Sequence, residues 1–75
     1  MNKQRRKALD ALYRKIEELR QEVEEVMDEE QDSYDNLPEN LQGSERGEAM
    51  YEAIDNLDSA CRSLDEAMDY IMEVV

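Results

Sequence analysis

A chain of 75 residues with 40% charged side chains and a net charge of −12 is one domain at most, with a small core. It has no His, Trp or Phe and a single Cys, so imidazole chemistry and an internal disulfide are both excluded. Such acidity is typical of disordered tails, but here the apolar residues recur at helical steps, which a tail would not maintain.

Asn2 to about Gln31 reads as the first helix. Leu9, Leu12, Ile16, Leu19, Val23 and Val26 alternate three- and four-residue steps, with Tyr13 and Met27 widening the stripe. The segment has no Gly or Pro, and its other positions are mostly good helix formers. In a heptad frame with Leu9 at a, Glu30 also falls at a, so helix packing is expected to end near Met27.

Residues 32–44 read as an ordered loop. Asp32-Ser33 and Asp35-Asn36 are turn formers, and Pro38 pushes Leu37 away from helical angles. Tyr34, Leu37 and Leu41 are expected to plug the open end of the helices. Ser44 is a good N-cap for the next helix, and Gly47 marks a close approach of the connection or partner helix.

The second helix, about residues 45–74, is the stickiest part of the chain. Gly47, Ile54, Cys61, Met68 and Val75 occupy a, while Met50, Leu57, Leu64 and Ile71 occupy d. Ala53, Ala60, Ala67 and Val74 add a third column at g. Cys61 is expected to be a small buried hydrophobe rather than a reactive thiol. The predicted fold is therefore all-α, an antiparallel coiled-coil-like hairpin forming the single domain 1–75. Helix two is wider in apolar surface than one partner helix covers, which predicts a homodimer forming a four-helix bundle. In this register Val26 is expected near Met50, and Leu9 near Met68 and Ile71.

Charge is segregated. Residues 1–20 carry seven bases and three acids, net +4; residues 21–58 carry fourteen acids and one base, net −13; residues 59–75 carry four acids and one base, net −3. A basic start and acidic end oppose the dipole of the first helix. Lys3, Arg5, Arg6 and Lys7 are expected beside Asp65, Glu66, Asp69 and Glu73. The loop end lacks such compensation, which leaves either a solubilising surface or one for a basic partner.

Catalysis has no candidate residue, and no cofactor or metal is expected. Ser33, Ser44, Ser59 and Ser63 lack a base. Glu24-Glu25-Val26-Met27-Asp28 and Glu52-Ala53-Ile54-Asp55 resemble the metal motifs of all-α MazG-type nucleotide pyrophosphohydrolases. That resemblance implies magnesium held by Glu24, Glu25, Asp28, Glu52 and Asp55, with Asp28 standing where that pattern has Glu. The connection carries another likeness. Asp28-Glu29-Glu30-Gln31, Asp35-Asn36-Leu37-Pro38-Glu39 and Leu41-Gln42-Gly43-Ser44-Glu45-Arg46-Gly47-Glu48 resemble a group of short acidic proteins of Firmicutes and their phages and mobile elements. That likeness implies a helical hairpin without an established activity.

The function expected is that of a non-enzymatic, nucleic-acid-mimicking interaction protein. It would block a basic nucleic-acid-binding or defence protein, without binding nucleic acid or membrane itself. Glu24, Glu25, Asp28, Glu29, Asp32 and Asp35 are the candidate contacts, with Arg46 and the loop setting their shape. The alternatives are the MazG-like enzyme and a structural adaptor. No signal peptide or apolar run of roughly 18 residues is present, which predicts a soluble cytoplasmic protein.

Overall fold

The computed structural model describes residues 1–75 as two long antiparallel helices, α1 (Lys3–Asp35) and α3 (Glu45–Val74), joined through a single helical turn, α2 (Glu39–Gln42). Asn2 caps α1 by accepting the Arg5 backbone N–H at 2.8 Å. Ser44 caps α3 as expected, accepting the Gly47 N–H at 3.3 Å. Neither helix is long and apolar enough to cross a membrane.

The first helix runs four residues beyond the expected end at Gln31, so the connection covers 36–44 rather than 32–44. Asp32 and Ser33 lie inside α1 because helical hydrogen bonding continues to the Asn36 N–H, which donates to the Asp32 carbonyl at 3.0 Å. Packing also continues past Met27: Tyr34 meets Tyr51 with ring centroids 6.2 Å apart. Only then does Pro38 redirect the chain. The Gln42 side chain closes the turn, its amide donating to the Tyr34 and Leu37 carbonyls at 3.4 and 3.3 Å. Tyr34 and Leu37 are half-buried, whereas Leu41, expected in the plug, is exposed.

Gly47 is where the connection crosses α3. A Cβ there would lie 2.6 Å from the Gln42 carbonyl carbon and 2.7 Å from the Leu41 carbonyl oxygen. These are backbone atoms of a turn with little freedom to move away. The other buried residues are Cys61, at 2% exposure, and Met68, both at the a column of α3. The expectation of a buried thiol at Cys61 holds.

The inward face of α1 is rotated relative to the expected a/d seam. Leu9, Ile16 and Val23 at a face the partner, but their companions are Tyr13, Arg20, Met27 and Tyr34 at e. The d residues point away: Leu12 is 48% exposed, Leu19 53% and Val26 54%. The e column carries longer side chains that reach across the groove. The aromatic pair and an ion pair between Arg20 and Asp65 fix it there.

Those two pairs also define the register. Fourteen residues along α1, from Arg20 to Tyr34, correspond to fourteen back along α3, from Asp65 to Tyr51. Continued, this places Val75 level with Asp10. Val26 therefore lies far from Met50, and the start of α1 projects beyond the end of α3. Residues 1–8 are all exposed, and Lys3, Arg5, Arg6 and Lys7 make no ion pair with Asp65, Glu66, Asp69 or Glu73.

Gly47→Ala tests the crossing. At an unobstructed helix site this change stabilises by roughly 1 kcal/mol. Here the obstructed Cβ should reverse the sign and cost about 1–3 kcal/mol in urea unfolding. Gly43→Ala, with nothing within 4 Å of the added Cβ, should be neutral or slightly stabilising.

Candidate functional site

The hairpin has two unlike long sides. The side along the e columns is the more polar, mixing Arg20, Asp58 and Asp65 with Tyr13, Met27 and Tyr51; the side along the d columns is apolar. The polar side carries the ionisable groups. Arg20 is its anchor, with Nε donating to Asp65 at 3.0 Å and Nη2 reaching the other carboxylate oxygen at 3.2 Å. Its Nη1 also pairs with Glu24, one turn along α1. The hydrogen bond with Asp65 holds the Arg20 guanidinium above its ordinary pKa against the opposing effect of partial desolvation.

Towards the loop, a groove of about 320 Å³ opens between the helices. Met27, Asp28 and Gln31 form its α1 wall, and Tyr51, Ile54, Asp55 and Asp58 form its α3 wall. Tyr51 is 63% exposed and lines the same groove as the three aspartates. Asp58 is held by Arg62, whose Nη2 donates to it at 2.9 Å. A second polar groove, of about 370 Å³, surrounds Arg20 between Tyr13, Glu17 and Gln21 on α1 and Asp65, Met68 and Asp69 on α3.

The sequence-derived contacts fall into distinct settings. Glu25, Asp28, Glu29, Asp32 and Asp35 are exposed on α1, whereas Glu24 is half-buried against Arg20. Asp35 accepts the Gln31 side-chain amide at 3.0 Å. Asp28 lines the acidic groove, while Glu29 lies over a separate shallow depression with Val26, Glu30 and Ser33. Arg46 is exposed and pairs with no carboxylate. In the sequence Asp55 belongs only to the magnesium motif, and Tyr51 and Asp58 belong to no motif. Their signal was positional: Tyr51 and Asp58 are seven residues apart in the e column of α3.

Of the five carboxylates in the magnesium motif, Asp28 and Asp55 share the acidic groove and Glu24 is engaged by Arg20. No three carboxylate or thiol side chains gather closely enough to hold a metal ion.

No family model, curated protein or solved structure matches this chain.

The Arg20 link is partly exposed and should contribute modestly to stability. A raised arginine pKa gives stability that is present below the unfolded-state pKa and lost as pH rises through the folded-state value. For Arg20 that window lies in strong alkali. Arg20→Met should therefore lower the thermal midpoint by less than Gly47→Ala does, by an amount constant from about pH 6 to 9.

Proposed function

We propose that this chain is a small acidic interaction protein that self-associates and binds a basic partner protein through the carboxylates of its loop half. The observation that carries this reading is the groove shared by Asp28, Asp55, Asp58 and Tyr51. Carboxylates from both helices converge there beside an exposed aromatic ring. A lysine or arginine side chain would gain ion pairing and a cation–π contact in one place. Glu25, Glu29, Asp32 and Asp35 extend the negative field along α1 and would steer such a partner.

The partner class is a nucleic-acid-binding or defence protein, whose cationic surface the acidic helices would occupy in place of phosphates. The blocking role and the phage or mobile-element setting rest on the likeness of the connection to short acidic phage-type proteins. A cytoplasmic location belongs to the same proposal. Self-association, as a homodimeric four-helix bundle, is supported by the apolar side of the hairpin, which a single chain leaves uncovered.

A fluorescent lysine- and arginine-rich peptide provides the test. Binding should weaken steadily from about 50 to 500 mM salt as the Debye length shrinks. Replacing Asp28, Asp55 and Asp58 together by Asn should weaken it about tenfold or more. Replacing Glu66, Asp69 and Glu73 by Gln, Asn and Gln removes the same charge and should have a much smaller effect. Equal loss in the two triple variants would reduce the acidic groove to a solubilising surface.

A further inference from the structure

The apolar side of the hairpin is laid out to receive a copy of itself. Leu12, Leu19 and Val26 recur every seven residues along α1 and are about half exposed. Leu19, Val23 and Val26 join Leu57 of α3, with Glu22 at the margin, around an apolar groove of about 240 Å³. We propose that a second copy of this chain covers this side in antiparallel fashion, its basic terminal end over the acidic loop end of the first. This deepens the self-association proposed above and rests on it.

Surface area supports the need for a cover. A compact monomer of 8.8 kDa exposes about 4,800 Å² by the usual size scaling. This chain exposes 6015 Å², an excess of roughly 1,200 Å². A stable interface buries about 800 Å² on each partner, so one face-to-face contact is enough to absorb much of the excess.

Charge selects the orientation. Two hairpins can stack with their loops at the same end or at opposite ends. Loops together would superimpose two segments of net −13, residues 21–58 of each copy. Loops apart would set residues 1–20, net +4, over that acidic segment. The α1 column bordering the stripe fits the second arrangement in detail. About a two-fold axis at Leu19, Leu12 meets Val26 of the partner subunit. Lys15, four residues before Leu19, then meets Glu22 of the partner subunit, three residues after it, and Glu29 meets Ala8 of the partner subunit. This column thus sets one acid–base pair on each side of the axis and no like charges opposite each other, as a two-fold interface requires.

Cross-linking and sedimentation of the full chain separate the outcomes. Sedimentation should give a dimer at about 100 µM, with its salt dependence set by the charge pairs. Leu19→Cys should form a disulfide-linked dimer in a glutathione buffer, because its two copies meet at the axis. Leu12→Cys alone should not, but should cross-link when mixed with Val26→Cys. The native Cys61 is buried and stays out of the reaction. Glu22→Lys gives an independent reading that needs no cross-link. It lowers the net charge from −12 to −10, which eases general repulsion, yet should weaken the dimer about threefold by facing Lys15. Lys15→Glu with Glu22→Lys should restore it. A dimer in which Leu19→Cys does not cross-link and Glu22→Lys tightens association would overturn the antiparallel docking and leave self-association standing. A monomer at that concentration would overturn both.

Discussion

The contact between Gly47 and the carbonyls of Leu41 and Gln42 fixes where α3 begins relative to the turn. Little slack is left on the other side, because the Gln42 side chain also donates to the Tyr34 carbonyl in the last turn of α1 and to the Leu37 carbonyl just beyond it. With both helix ends tied to one turn, the register of the two helices follows. Tyr34 meets Tyr51, Arg20 meets Asp65, and the three aspartates converge on their groove. A side chain at residue 47 would disturb all of these together.

The second constraint is the small number of side chains two helices can bury between them. Three residues are buried, and Cys61 and Met68 are the only ones with apolar side chains. The elongated shape, 58 Å by 15 by 12, provides no second layer. The radius of gyration is 17.1 Å, against about 11 Å for a globular chain of this length. Specificity of pairing therefore depends on a few polar and aromatic contacts at the margin of the seam. Arg20 makes two of them, joining Glu24 on its own helix to Asp65 on the other.

Much of the fold was legible in the residues. The apolar period marked two helices. Ser44 declared its role through local capping chemistry, Gly47 through the cost of glycine in a helix, and Cys61 through its place in the a column. The side that α1 turns inward was not legible. Leu9, Ile16 and Val23 fit a seam with either the d or the e residues, and both columns are apolar enough to serve. Contacts between residues far apart in sequence decide it, and no local period encodes them. The same holds for the site. Asp28 could be read as an exposed acid from its helix alone, but its grouping with Asp55 and Asp58 depends on the register. The expected pairing of the basic N-terminus with the carboxylates of α3 failed for the same reason.

The overhang of α1 separates what gives the protein its charge from what gives it its shape. Residues 1–8 hold four of the nine basic side chains and touch no other element closely enough to be covered. Their helix is secured at its start by the Asn2 cap alone. Clipping after Lys7 would remove the Asn2 cap and no buried residue, and would take the net charge from −12 to −16. Within one chain packing places no claim on these first turns, so their charge is available to whatever this end of the hairpin meets. A single hairpin thus has a paired body that carries the fold and an uncovered extension that carries four of the nine basic side chains.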